Sequence, residues 1–145
     1  MKILFVCTGN TCRSPMAEAI LTQSKREWTV KSAGIFATDG GPASTGTKQV
    51  LRENDIIQEH SSRMLRRDDI DWADYIFTMT SSHKHAINQQ FPQAADKMFT
   101  VKEFVTEHPY DRDVSDPFGG SVEIYRKTYK ELQVLIDLLQ KKLEK

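Results

Sequence analysis

The sequence predicts an α/β fold, a four-stranded parallel sheet with helices on both faces, and three observations carry that prediction. Ile3, Leu4, Phe5 and Val6 are consecutive apolar residues, the pattern of a strand covered on both sides. Strand-like and helix-like segments then alternate along the chain, the order that crossover helices between parallel strands require. The last segment is a long amphipathic one, suited to lie across a sheet face. In such folds ligands sit at the carboxyl ends of the strands. With 145 residues the chain, 1–145, is one domain by length, able to bury about 70% of its unfolded surface without a disulfide or metal.

Lys2 to Val6 is the first strand. Ser14 reads as an N-cap with Pro15 at the first helical position; Met16, Ala19 and Ile20 supply an apolar face, Glu18 lies near the positive end, and the helix fades near Glu27. Thr29 to Ser32 is a second strand closed by Ala33-Gly34, and Ala37 to Thr47 is a loop leading to a helix around Lys48 to Glu53. The run Arg66 to Asp71 reads as a solvated face opening a short helix, followed by a third strand from Tyr75 to Met79. Ser81 opens a helix through Gln90, Lys97 to Val101 is the fourth strand, and the long helix starts at Ser121 with Tyr125, Tyr129, Leu132, Leu135, Ile136, Leu139 and Leu143 on its buried side.

Lys plus Arg number 20 and Asp plus Glu number 20, so no long-range field draws in nucleic acid or anionic lipid, and any anion must be captured locally. The two cysteines, five positions apart, make no disulfide framework, and the N-terminus lacks an apolar run with a cleavage site. A cytoplasmic protein without a membrane segment is the expectation. Nothing in the patterning sets an oligomeric state.

The chemistry concentrates where the first strand turns into the first helix. From Cys7 to Ser14 the chain must curl into a small bowl whose successive N–H groups point inward, with the dipole of the following helix on the same side. Gly9 permits a backbone angle that other residues resist, and Asn10 tolerates the left-handed region and can brace the loop with its amide. Arg13 adds a planar fork able to pair two oxygens of a phosphate. A cysteine at a strand end is more often a small buried hydrophobe, but these neighbours make Cys7 a candidate nucleophile, its sulfur held as the thiolate by the positive bowl. Attack on a bound phosphoryl group would give a phosphocysteine that water then hydrolyses, with Ser14 donating to the sulfur as it leaves.

CTGNTCRSPMAEA resembles the signature of the low-molecular-weight protein phosphatases, in which Cys-x5-Arg is the phosphate loop. Asp113-Val114-Ser115-Asp116-Pro117-Phe118 is similar to the general-acid loop of that family, and the resemblance spans essentially the whole chain. It implies Cys7, Arg13 and Asp116 as catalytic residues, with Asp116 protonating the leaving atom and then activating water; Asp111 and Asp113 are the other candidates for the acid. It implies substrate contacts from Thr8, Gly9, Asn10, Thr11, Cys12, Ser14 and Phe118, and bracing of the loop through hydrogen bonds by His60 with Asn10, Ser14 and Ser32. No cofactor or metal is implied; the partners are phosphorylated proteins, and the product is inorganic phosphate.

Thr11 stands where tyrosine-directed members commonly carry a branched aliphatic residue, and Asp116-Pro117-Phe118-Gly119-Gly120 lacks the paired tyrosines found in many of them. Both features resemble the protein-arginine phosphatases. A guanidinium is flat, cationic and rich in donors, so a carboxylate and a ring suit it, and Asp116 and Phe118 can supply them. Phosphotyrosine hydrolysis is the alternative. An arsenate reductase would need relay cysteines after Cys12, of which there are none, and a binding module would not need nucleophile, arginine and acid together. Cys12 could trap Cys7 as a reversible disulfide under peroxide.

Three other patterns carry no chemistry. Gly41 to Lys48 nearly spells a nucleotide loop, but its lysine and threonine are reversed and no buried strand leads into it. His83 and His85, two apart on a helix, face different ways and read as surface residues. Arg66 and Arg67 are candidates to meet an acidic protein substrate.

Overall fold

The computed structural model describes residues 1–106 and 110–145. Strands β1 (Lys2–Cys7), β2 (Thr29–Gly34), β3 (Tyr75–Thr78) and β4 (Met98–Thr100) pair in parallel in the order β2-β1-β3-β4. The helices are α1 (Arg13–Ser24), α2 (Thr45–Glu53), α3 (Arg67–Trp72), α4 (Ser81–Gln90), α5 (Val101–Thr106) and α6 (Val122–Leu143). Among them none is long and apolar enough to cross a membrane.

Side chains of β1 alternate between two cores, as strand geometry demands. Ile3, Phe5 and Cys7 join Met16, Leu21, Tyr129, Leu132 and Ile136 from α1 and α6. Leu4 and Val6 face the other way, onto Ile70 of α3, Ile87 of α4, and Met98. Both faces are covered, which is why the run Ile3 to Val6 shows no polar alternation. Phe77 of β3 is fully buried, its ring 6.0 Å from that of Phe5 and 5.0 Å from that of Phe104 on α5.

The strand order decides where a site can form. From β1 the chain crosses to β2 on one side, then returns past β1 to β3 on the other, so the carboxyl end of β1 is the switch point of the sheet. Cys7 ends that strand, level with Gly34 of β2. A Cβ on Gly34 would lie 2.4 Å from the Thr8 carbonyl oxygen and 3.0 Å from the Asn10 nitrogen; glycine lets β2 close against the turn that follows β1.

Several boundaries differ from the sequence reading. The N-cap of α1 is Cys12, not Ser14, because the Ser14 hydroxyl is used elsewhere; Pro15 is then the third helical residue, still within the turn where no backbone acceptor awaits an N–H. The same helix stops at Ser24 rather than near Glu27, as Trp28 N–H takes the Lys25 carbonyl at 3.1 Å. Helix α2 starts at Thr45, capped by Ser44, and β4 is shorter than Lys97–Val101. Thr100-Val101-Lys102-Glu103 is a capping box that opens α5: Glu103 N–H donates to Thr100 Oγ1 at 3.0 Å, and Thr100 N–H to Glu103 Oε2 at 2.7 Å. Arg66 and Arg67 pair with Asp39 and Asp71 of the same chain.

Candidate active site

Thr8 to Cys12 connect β1 to α1, and the left-handed turn within them falls on Asn10, with φ 58°, rather than on Gly9. A Cβ at Gly9 would meet only Thr11 Oγ1, at an ordinary 3.8 Å. Asn10 carries the strain because its amide is held on every side. Its Nδ2 donates to Ser14 Oγ and to Ser32 Oγ, each at 2.9 Å, and its Oδ1 accepts from Arg63 N–H at 3.0 Å. His60 Nε2 donates to the Asn10 carbonyl at 2.6 Å, so that nitrogen bears the proton. Asn10, Ser14 and Ser32 are thus buried, and their side chains brace the loop from behind, as the resemblance implied.

The bracing extends to a residue with no sequence signal beyond its place in the helix. Glu18 accepts from Ser32 Oγ at 2.6 Å and from Gln58 Nε2 at 2.6 Å. Burial pushes its carboxyl above the usual range, opposed by those hydrogen bonds and by the charges of His60 and Arg63. On the other flank the Thr11 carbonyl accepts from Ser44 N–H at 3.0 Å and Thr47 Oγ1 at 2.9 Å, both at the start of α2.

Cys7 is 3% exposed, and its Sγ lies 2.8 Å from Ser14 Oγ. Since that oxygen already accepts from Asn10, the Ser14 hydroxyl proton is directed to the sulfur. Arg13, the first residue of α1, donates from Nη1 to the Val114 carbonyl at 2.9 Å. Its Nε is buried without a partner among the described residues, and its Nη2 lies 3.6 Å from Asp116 Oδ2, so the Nε–Nη2 edge of the fork is the one that suits two oxygens of a tetrahedral anion.

The acid loop is pinned from below: Val114 N–H donates to the Met79 carbonyl at 2.8 Å, and Ser81 N–H to Asp113 Oδ1 at 2.8 Å. Asp113 is therefore committed to the start of α4, and Asp111 pairs with Lys102 at 3.0 Å. Asp116 alone of the three reaches Arg13, with half its side chain exposed. A cleft of about 210 Å³ is lined by Cys7, Thr8, Gly9, Thr11, Cys12 and Arg13 on one side, with Asp116 and the exposed ring of Phe118 on the other. A larger cavity of about 660 Å³ lies between α2 and residues 55–60, floored by Leu51 and Ile56, and holds none of the candidate catalytic residues.

The family model for low molecular weight phosphotyrosine protein phosphatase matches residues 2–145. The chain belongs to that family. It is 51% identical to a protein-arginine-phosphatase of Geobacillus stearothermophilus, over 99% of this chain and 96% of the relative. A protein-arginine-phosphatase of Bacillus subtilis is 46% identical over 100% of this chain and 98% of its own length. Among solved structures, the YwlE arginine phosphatase C7S mutant with phosphorylated active site serine superposes with a TM-score of 0.95 at 44% identity, covering 100% of this chain and 97% of that one.

Within this phosphatase fold Cys12 is a free thiol, its Sγ 3.3 Å from Tyr125 Oη and 3.4 Å from Ser44 Oγ. Burial, then the contact with Cys12, holds the Tyr125 hydroxyl above the usual phenol range. His83 corrects the sequence reading most sharply. It is 4% exposed, not on the surface, and its Nε2 lies 2.8 Å from Thr8 Oγ1. Burial, then the charge of Arg13, lowers it from 6.5 to about 4, against the opposing pull of Asp113 and Asp116.

Because the unfolded chain protonates this imidazole near 6.5 and the folded one near 4, stability falls as pH drops through that window. The slope from this group is at most about 1.4 kcal/mol per pH unit. Chemical denaturation at pH 7, 5.5 and 4.5 should show His83→Gln gaining relative to the parent as pH falls; parallel curves would contradict it.

Proposed function

We propose that residues 1–145 form one phosphatase domain that removes phosphate from phosphoarginine in proteins, through a phosphocysteine at Cys7. The observation that carries this reading is the meeting of Cys7 Sγ, the Nε–Nη2 edge of the Arg13 fork and the Asp116 carboxyl in one cleft, with Phe118 at its rim. The thiolate attacks phosphorus along the axis opposite the leaving nitrogen, forming the S–P bond as the P–N bond breaks and Asp116 gives its proton to the departing guanidine. Water then attacks phosphorus, Asp116 takes its proton, and the S–P bond breaks to release inorganic phosphate while Ser14 donates to the sulfur. Loop amides, the α1 N-terminus and Arg13 stabilise the equatorial oxygens in both steps.

Arginine over tyrosine is supported by Thr11 on the cleft wall, by Phe118 and Asp116 placed to stack on and accept from a guanidinium, and by the names of the two relatives. Hydrolysis of matched phosphoarginine and phosphotyrosine peptides tests it: the parent should prefer phosphoarginine by at least about tenfold in kcat/KM. Thr11→Ile should move that ratio toward phosphotyrosine by about tenfold or more, because a branched aliphatic group supports an aromatic ring and offers no hydroxyl to the rim. An unchanged ratio removes Thr11 from the account, and a parent preferring phosphotyrosine establishes the alternative.

A further inference from the structure

We propose that His83 is a positioning residue of the phosphate loop, fixing the Thr8 hydroxyl and through it the peptide units that follow the nucleophile. The inference rests on the reading of Cys7 as the residue that takes the phosphoryl group.

The side-chain tethers of the loop are unevenly shared. Its second half is secured by the Asn10 amide, by His60 on the Asn10 carbonyl, and by Ser44 and Thr47 on the Thr11 carbonyl. Its first half has the Cys7 and Thr8 carbonyls held by Ile35 N–H at 3.0 Å and Phe36 N–H at 2.9 Å, but only one side-chain tether among the described residues, Thr8 Oγ1 to His83 Nε2 at 2.8 Å. Gly9 has no side chain to offer. Yet Thr8 and Gly9 directly follow Cys7 and line the cleft, so their N–H groups belong to the set that must face an anion.

His83 is itself rigidly placed. It sits in the first turn of α4, its N–H donating to the Thr80 Oγ1 cap at 3.1 Å. That same turn receives Asp113 Oδ1 on the Ser81 N–H. One helical turn therefore anchors both walls of the cleft, the nucleophile side through Thr8 and the acid side through Asp113.

The ring also keeps a feature that packing alone does not explain. Nδ1 is buried with no partner among the described residues, so an apolar side chain would suit the position better if its role were only to fill space. The lowered titration of the ring keeps it uncharged near Arg13 at neutral pH, so the tether adds no second cation beneath the loop.

The test uses para-nitrophenyl phosphate and the full chain, with His83→Leu, Thr8→Val, their double variant and His83→Gln. His83→Leu should melt no lower than the parent while kcat falls about tenfold and KM changes less than about threefold, as expected for contacts that tighten in the transition state. Thr8→Val should match it, and the double variant should be no worse than either. His83→Gln, which returns a hydrogen-bonding atom near the Nε2 position, should recover most of the loss. Full kcat in a folded His83→Leu, losses that multiply in the double variant, or no recovery in His83→Gln would each overturn the assignment. Thr8→Val, altered at an exposed position, carries the test should His83→Leu fail to fold. An inactive parent removes the underlying reading; an active parent equalled by His83→Leu and Thr8→Val removes only this assignment.

Discussion

Cys7→Ser is expected to lower hydrolysis of a phosphoarginine peptide by at least about 10⁴-fold while leaving the fold intact. The two side chains are close in size, and the position is 3% exposed in a core that tolerates either. What changes is nucleophilicity. A neutral serine hydroxyl attacks phosphorus far more slowly than a thiolate, and a phosphoserine resists hydrolysis; among the described residues the only polar contact of Cys7 Sγ is the Ser14 hydroxyl, which donates and does not abstract. Among the described residues no histidine or carboxylate touches the sulfur to serve as a base. Inorganic phosphate should still bind the variant, since the loop amides and Arg13 are unaltered, so a thermal shift with phosphate separates lost chemistry from lost binding. Turnover within about tenfold of the parent would show that another group makes the bond to phosphorus.

Arg13→Lys should cost about 10³-fold in kcat/KM, the second largest effect. Arg13 does two things that a lysine cannot do together: Nη1 holds the Val114 carbonyl at 2.9 Å, while Nε and Nη2 present a planar edge to the cleft. A single ammonium reaches one of these and abandons the other. The loss should therefore appear in kcat and in the affinity for inorganic phosphate, and the acid loop should move, because Val114 joins it to Arg13 from above and to Met79 from below. Kinetics with inhibition by phosphate, together with backbone amide exchange across residues 112–120, would measure both. Unchanged phosphate affinity would place Arg13 outside the binding of the anion.

The four-stranded parallel sheet was legible because Ile3 to Val6 and the amphipathic terminal helix obey simple periodicities that the packing preserves; the strand order that makes β1 the switch point was not, because it is set by which strands pair and no local pattern encodes that. The loop was legible because Cys7, Asn10, Arg13 and Ser14 lie within one turn, where local geometry dictates what they can meet. What holds the loop from a distance was less so. The left-handed angle and the bracing amide of Asn10 were within reach of its residue type, but the partners that fix them, Ser32 and Arg63, lie 22 and 53 residues away. Glu18, Val114 and His83 act through contacts across 14, 101 and 75 residues of sequence, distances at which local patterning is silent. The start of α5 was different in kind: Thr100 and Glu103 spell a capping box, a local signal masked by the apolar run that reads on into Val101.

The most direct measurement is rapid mixing of the enzyme with a phosphoarginine peptide, acid quenching within a single turnover, and mass spectrometry of the peptide that holds Cys7. A phosphoryl group on the sulfur, appearing before free phosphate and decaying as phosphate is released, is the predicted result. Phosphate released in that first turnover with no adduct on Cys7, or with the adduct on another side chain, would contradict the account.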